Sequence, residues 1–559
     1  MPPPPRHGRF SMRNVLQVDP RDNVLIALTD LDAGQQIRFA DRAYTLVSSV
    51  PAKHKFAAED IPAGRSVIMY GTLVGKAVKP ISTGEKLSTT NVEHDAAAFH
   101  GQSGEYRWTA PDVSRWKQTT FSGYHRSDGQ VGTRNHWLVV PLVFCENRNI
   151  EVLKQAFEEE LGYAVPQVYR RQVAELAQLY REGNTAEIRT RVLSEDGASP
   201  PKSRLFEHID GIKFLVHEGG CGGTREDSNN LCGLIAGYIN HPNVAGATVL
   251  SLGCQHSQVG ILREQLYKRN PTFDKPLVVL EQQRSGSEFA MLSEAVRKTF
   301  LGLVEADQSR REPAPLSHLC LGLKCGGSDG FSGISANPSI GHAADLVVAL
   351  GGRAILSEFP ELCGVEQELI NRSARKDVSE RFAHLMRDYQ SRARAVASGF
   401  EMNPSPGNIR DGLITDAMKS AGAAKKGGTS PVTAVLDYPE YSTEPGLNLQ
   451  CTPGSDVECV TAQVGAGASV VLFTTGLGTP TGNPITPVVK LSSNSDLARR
   501  MKDIIDVDTG RIVTGESTVE RMGEEVLDLV VKVANGEIKT KAEVNGQNDF
   551  IPWKRGVSL

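Results

Sequence analysis

The sequence predicts an α/β protein in which a small β-rich N-terminal domain is followed by two α/β domains with largely parallel sheets. Three observations predict this. Short alternating segments such as VLQV, NVLIAL, QQIRFA and SVIMYG, separated by Gly, Pro and Asp, run from Asn14 to about Glu93, the texture of short strands. From Phe121 the pattern becomes near-continuous apolar strand, Gly-rich loop and amphipathic helix, repeated, as a parallel sheet covered on both faces requires. The 559 residues also exceed what one hydrophobic core supports, so about three domains are expected.

In chain order, residues 1–12 are Pro- and Arg-rich and are expected to form a flexible N-terminus. Residues 13–94 make the β domain, and 95–120, with GQSGE, TAPD and WKQTT, read as a linker. The second domain, 121–290, has strands in HWLVVPLVF, IKFLVHEGGCGG and ATVLSLGCQHSQVG, each followed by a helix: EVLKQAFEEEL, NNLCGLIAGYI and ILREQLYKR. In the C-terminal catalytic domain, 291–559, LCLGLKCGG, DLVVALGG, RAILSEF, VTAVLDY and SVVLFTTG read as strands, with a long helical run from Glu366 to Ser398.

Composition narrows the function classes. Hydrophobic residues at 40%, charged residues at 23% and a net charge of -4 describe an ordinary globular enzyme or binding protein. No Lys/Arg block invites nucleic acid. No apolar run reaches the roughly 18 residues that span a bilayer, and MPPPPRHGRF lacks a signal-peptide core, so a cytoplasmic location with no membrane partner is expected. The nine cysteines are odd in number and scattered, as free thiols in a reducing compartment are. There is no GxxxxGK[ST] phosphate loop, and no GxGxxG follows a strand, which weighs against nucleotide chemistry.

The chemistry concentrates at strand exits. Cys325 to Pro338, CGGSDGFSGISANP, packs glycines, hydroxyls, an acid, a thiol and an amide behind the apolar run LCLGL. That places Cys325, Ser328 and Asp329 where open α/β sheets put their ligands; a Gly-rich turn with Asp329 as a helix cap is the plainer alternative. Cys145, the HEGGC segment from His217 to Cys221, Cys254, Glu358 and Thr474 to Gly478 stand at other strand ends. In a parallel sheet these ends share one side. Thiol, imidazole and carboxylate are ligands that a ferrous-type ion accepts, although each thiol is as readily a small buried hydrophobe. NPSPGN, Asn403 to Asn408, offers amides to a polyol or serves as a rigid linker. Asp506 and Asp508 alternate and so share a strand face fit for a divalent cation, or open an Asp-rich turn.

An ordered series of segments resembles the altronate and galactarate dehydratase family, with an N-terminal SAF-type (β-clip-like) domain. They are DNVLIAL, HKFAAEDI with IMYGTLVGKAV, GYHRSDGQVGTRN, HEGGC, HPNV with LGCQ, CGGSDGFSGISANPSIG, ILSEFPE with GVEQ, NPSPGN, PGLNLQCTPGSD, LFTTGLGTP, NDF and GVSL, from about Val15 to the end. The resemblance implies a hydro-lyase that removes water from a sugar acid to give a 2-keto-3-deoxy acid. PGLNL and GVSL point to altronate as substrate, yielding 2-dehydro-3-deoxy-gluconate. It implies a divalent metal, ferrous iron with manganese as a substitute, and a homodimer is expected. On that basis His217 is the expected acid/base, with Asp329, Glu358 and Lys419 as further catalytic residues. Arg134 (a carboxylate clamp, or else a buried structural arginine), Ser328, Asn337, Asn403, Asn408, Thr474 and Lys490 are expected to bind substrate. Asp19, His54, Cys221, Cys254, Asp506 and Asp508 are expected to bind metal.

This chain departs from the family pattern in places. Asp19 stands where relatives show His, Ile409 replaces a lysine after NPSPGN, and Leu477 replaces the arginine of TTGRG. Losing two cations favours a substrate with fewer acid groups. The other readings are galactarate dehydratase, an iron–sulfur hydro-lyase using Cys145, Cys221, Cys254 and Cys325, and a non-catalytic sugar-acid sensor.

Overall fold

The computed structural model describes residues 14–165, 168–194 and 203–559; the expected flexible segment 1–12 lies outside them. The N-terminal domain is built from short antiparallel strands. Val24–Ala27 lies between Val15–Leu16 and Lys55–Ala57, Gln36–Phe39 pairs with Arg42–Thr45, and Thr72–Ala77 lies between Ser66–Met69 and Val92–Glu93. Three similar turns, LDAG, IPAG and ISTG, each close on a glycine (Gly34, Gly64, Gly84) at φ between +77° and +80°, a backbone region that side chains other than glycine rarely enter.

The second domain carries a four-stranded parallel sheet in the order Gly211–Phe214, His136–Pro141, Val244–Ser251, Leu277–Glu281. The C-terminal domain carries a seven-stranded, all-parallel sheet. Its order is Val432–Leu436, Gly446–Gln450, Arg353–Leu356, Cys320–Cys325, Val470–Thr475, Val488–Ser492, Val507–Asp508. Cys320–Cys325 is central and every one of its residues is buried, as a strand covered on both faces must be. The expected fold class is therefore the observed one.

Three details differ from expectation. The run DLVVALGG is not a strand: Asp345–Ala349 ends the helix Ala336–Ala349, since a short apolar run reads alike as buried strand or buried helix. The run from Glu366 to Ser398 is two helices, Glu366–Asn371 and Lys376–Ala395, broken where Ser373 bridges to Val432. The helix Glu288–Ala306, which a 290/291 division would cut, packs on the four-stranded sheet.

Core packing joins the domains. One apolar cluster mixes N-terminal residues (Val24, Met69, Val74) with the seven-stranded sheet and its helices (Leu321, Leu356, Met418). A second mixes the four-stranded sheet (Leu138, Val249) and helix Arg225–Asn240 (Leu234, Ile239) with Ile355, Val471 and Phe473 of the large sheet. Between these two units, helix Arg225–Asn240 crosses helix Asp456–Gly465 so closely that a Cβ on Gly237 would lie 2.1 Å from the Gly465 carbonyl oxygen. Only glycine fits there.

Segment 95–119 is irregular and lies against the C-terminal domain. The amide of His100 donates to Gln367 Oε1, Tyr106 Oη to the Thr429 carbonyl, and Trp116 Nε1 to Asp528. No helix among the described residues is long and apolar enough to cross a membrane.

Candidate active site

Parallel topology brings the carboxyl ends of the large sheet's strands to one side, and there a knot of charge is buried. Lys324, in the central strand, pairs with Glu358 just after the neighbouring strand, with Asp456 Oδ1 at 3.0 Å, and donates to the Gly454 carbonyl at 3.0 Å. Lys426 pairs with the other Glu358 oxygen and lies 2.8 Å from Cys325 Sγ. Lys419, on helix Asp416–Ala423, pairs with Glu361 Oε1 at 2.8 Å and donates to Asn403 Oδ1 at 2.7 Å. Lys324 and Glu358 are fully buried. Ions so far from water persist only when paired and hydrogen-bonded, and three ammonium groups here face three carboxylates.

Electrostatics follow from that pairing. Burial alone would lower the lysine pKa values, but Glu358 and Asp456 hold Lys324 well above the ordinary value, and Glu361 holds Lys419 above it. Burial would raise Glu361, and Lys419, Lys324 and Lys426 more than offset it, so its pKa is lowered. Burial, then Glu358, pushes the Cys325 thiol up to about 12 against the lowering effect of Lys426. Glu358 sits in the left-handed region at φ +66°, ψ +58°. For a non-glycine residue this costs of order 1–3 kcal/mol. The expense is offset by the two lysines and by the bond from its amide to Thr452 Oγ1 at 3.0 Å.

Asp329 organises the Gly-rich loop. Its Oδ1 accepts from the amides of Phe331 and Ser332 at 3.1 and 3.0 Å and from Ser493 Oγ at 2.7 Å, while Oδ2 accepts from Asn494 Nδ2 at 3.1 Å. Lys53 of the N-terminal domain reaches it at 3.1 Å and Asp411 at 2.8 Å. The NPSPGN segment ties the two groups together. Asn403 holds Lys419, and Asn408 Nδ2 donates to the Ser328 carbonyl at 2.8 Å. Gly326 to Gly330, GGSDG, has the spacing of a serine-hydrolase elbow, but no histidine among the described residues hydrogen-bonds Ser328. Beside the knot opens a cleft of about 620 Å³, lined by His217, Cys221, Asp227, Glu458, Trp553 and Lys554. Glu458 and Asp456 share a helix, so cleft and knot are neighbours.

Family models match in the order of the domains: "Altronate/galactarate dehydratase SAF domain" over residues 13–95, "D-galactarate dehydratase/Altronate hydrolase, second domain" over 123–307, and "D-galactarate/Altronate dehydratase, C-terminal" over 316–558. The altronate dehydratase of Bacillus subtilis (strain 168) is 31% identical over 548 residues, 98% of this chain and 100% of that protein. The altronate dehydratase of Escherichia coli (strain K12) is 32% identical over 551 residues, 97% and 99% of the two chains. The galactarate dehydratase (L-threo-forming) of the same strain is 30% identical over 530 residues, 94% and 93% of the two chains. The chain belongs to the D-galactarate/altronate dehydratase family.

Within this dehydratase scaffold the expected residues divide. Glu358 and Lys419 lie in the knot, Asn403, Asn408, Ser328 and Asp329 beside it. Thr474 donates to Asn337 Oδ1 at 2.6 Å, and Asn337 Nδ2 in turn to the Gly422 carbonyl, a buried pair that locks strand to helix. His217 is corrected as acid/base. Its Nε2 donates to the Pro141 carbonyl at 2.8 Å, its Nδ1 accepts from the Gly219 amide, and burial lowers its pKa to about 4, so it is a neutral clamp for the HEGGC loop. Arg134 is corrected as substrate clamp. It precedes strand His136–Pro141, and its guanidinium is spent on Glu543 and on the carbonyls of Thr133 and Val533. Lys490 is buried in its strand and donates to Gln547 Oε1, and burial lowers its pKa to about 8.

Among the described residues, no contact gathers the expected metal ligands into one site. Asp19 pairs with Arg21 and His54 lies against the Ala52 carbonyl, both in the SAF domain. Asp506 accepts from the amides of Lys490 and Lys541, and Asp508 from Ser495 Oγ and the Gly510 amide, so their oxygens hold loops. Cys221 and Cys254 are exposed, outside the knot. Among the described residues one group of three donors lies within 4.8 Å, Cys325, Glu358 and Glu361. As arranged it does not fit a divalent ion, because Lys426, Lys324 and Lys419 already occupy these donors and the thiol keeps its proton. Sequence reasoning missed Lys324, Lys426, Glu361, Asp456 and Lys53. The available signal was a lysine inside the apolar strand LCLGLKC, because a buried cation demands a partner.

Proposed function

We propose that this chain is a hydro-lyase that removes water from D-altronate to give 2-dehydro-3-deoxy-D-gluconate. The observation that carries the reading is the buried Lys324–Glu358–Lys426 knot, with the carboxylate in a strained backbone position between two ammonium groups. The proton next to a sugar-acid carboxylate is weakly acidic, and its removal puts negative charge on the carboxylate oxygens. Preorganised cations in a dry site stabilise such charge. Glu358 takes the proton from C2, the lysines hold the enediolate, and the Lys419–Glu361 pair delivers a proton to the hydroxyl leaving C3. Water departs, and the resulting enol tautomerises to the 2-keto acid.

Altronate is preferred over galactarate because Leu477 lies against Gly407 of the NPSPGN segment, and neither it nor Ile409 supplies a cation for a second carboxylate. A homodimer and a cytoplasmic location belong to the same reading, the latter supported by nine free thiols. A requirement for ferrous iron, with manganese substituting, enters from the family resemblance, and no step above runs through it.

The test is turnover. Incubated anaerobically with ferrous iron and either D-altronate or galactarate, the full chain is expected to release a semicarbazide-reactive 2-keto acid from altronate first. Faster release from galactarate would move the assignment to that acid. Binding of both acids without product would overturn the enzyme reading in favour of a sensor.

A further inference from the structure

We propose that the second domain binds a small hydroxylated oxyanion, a sugar acid or a sugar phosphate, in a cavity of about 250 Å³ beside its outer strand. Strand Gly211–Phe214 stands at the edge of the four-stranded sheet and pairs with His136–Pro141 on one side alone. Its other side is covered without being paired. Asn483, Thr486 and Asn548 of the C-terminal domain face it across the cavity. An edge strand carries a row of amides and carbonyls with no strand partner, and such groups, once covered, call for a polar occupant. The side-chain amides and the hydroxyl opposite suit a molecule rich in hydroxyls.

Charge on the walls selects an anion. Lys213 donates to the neutral Asn548 Oδ1 at 3.1 Å, and burial, only partly offset by Glu543 and Glu158, lowers its pKa to about 8. Arg204 is held over the Tyr163 ring at 5.3 Å, and Lys539 lines the same cavity. Among the described residues none of these three cations pairs with a carboxylate. The acids beside them are engaged elsewhere. Both Glu543 oxygens are on Arg134, Asp210 accepts from the Asn135 amide at 2.8 Å with Arg311 at 3.6 Å, and Glu151 faces Lys154 at 3.9 Å. Burial raises the pKa of the fourth acid, Glu158. On the same wall, Nδ1 of the buried His136 has no hydrogen-bond partner, and burial keeps that ring neutral. Unpaired cations and an idle imidazole around one space are the groups that a carboxylate or phosphate engages.

This cavity is not the catalytic site. It flanks the smaller sheet, whereas Lys324, Glu358 and Lys419 cluster at the larger one. Its neighbour is the cleft of about 620 Å³, with which it shares Val216 and Phe550 as a common wall. An occupant can therefore press on the cleft without entering it, and its binding does not depend on which reaction the knot performs.

Titration calorimetry of the full chain with D-gluconate and with D-glucose 6-phosphate provides the test. Saturable binding of at least one is expected, and the tighter of the two tells carboxylate from phosphate. Lys213→Met and Arg204→Ala should each weaken it about tenfold or more, while Lys554→Met, which lies in the cleft alone, leaves it unchanged. Arg204 is exposed, so its variant folds even if Lys213→Met does not. Proton linkage gives a second reading. At about pH 9 Lys213 is mostly neutral in the free protein and charged beside an anion, so binding takes up close to one proton, and Lys213→Met abolishes the uptake. No saturable binding of either anion, or binding that Lys213→Met and Arg204→Ala leave as tight, overturns the proposal. Either result leaves the dehydratase reading untouched, which turnover of altronate decides.

Discussion

Glu358 carries more of the chemistry than any other single residue, and its replacement separates two effects. Glu358→Gln removes the base, so kcat should fall about 10²–10⁴-fold. It also leaves Lys324 and Lys426 short of a countercharge, and breaking a buried pair costs about 3–5 kcal/mol. Turnover and guanidinium denaturation read the two losses independently. Lys55 offers a second test. It is fully buried with its ammonium on the Gly412 carbonyl, and burial, only partly offset by Asp329, pushes its pKa down from 10.5 to about 7. Between those values the unfolded chain binds a proton that the folded chain does not, so stability rises with pH in that window. Lys55→Met should therefore gain most over the parent protein near pH 7 and lose that advantage by about pH 10, measured by denaturation across the series.

At the level of elements, the helix Asp416–Ala423 links the SAF domain to the knot. Thr415 Oγ1 caps it by accepting from the Met418 amide and donates to the Val74 carbonyl of the N-terminal sheet. Thr415→Val removes both bonds and should cost about 1–2 kcal/mol, seen as a lower denaturation midpoint, with weaker turnover because the helix positions Lys419. The strands of the large sheet were legible because apolar runs such as SVVLF and RAIL admit few alternatives once Gly-rich loops bound them. DLVVA was not, because the helix from Ala336 is buried nearly all round, its polar Asn337, Ser339 and Asp345 included, so no exposed face sets a period. Glu358 and Asn403 stand in the motifs ILSEFPE and NPSPGN, whereas Lys419 was named only through the family resemblance. The partners of Glu358 were hidden because strand order, not sequence order, brings them in: Lys324 is 34 positions away and Lys426 is 68. His217 misled for a related reason. Its glycine neighbours signalled a tight turn, and the turn takes one ring nitrogen while the Pro141 carbonyl of the adjacent strand takes the other.

For the whole molecule, the SAF domain is seated rather than tethered. Its apolar residues share a core with the large sheet, Lys53 reaches Asp329 and Asp411, and Lys55 caps the Gly412 carbonyl. The second domain attaches differently. Strand Thr120–His125, where the chain enters it, pairs antiparallel with Arg311–Pro315, where the chain leaves, so that Tyr124 stands opposite Arg311. Topologically the four-stranded module is a cassette plugged in at one point, able to be lengthened, exchanged or lost in evolution without rethreading the host sheet. The apolar seam it would uncover around Ile355 and Phe473 is what makes a replacement, rather than a bare excision, the viable event.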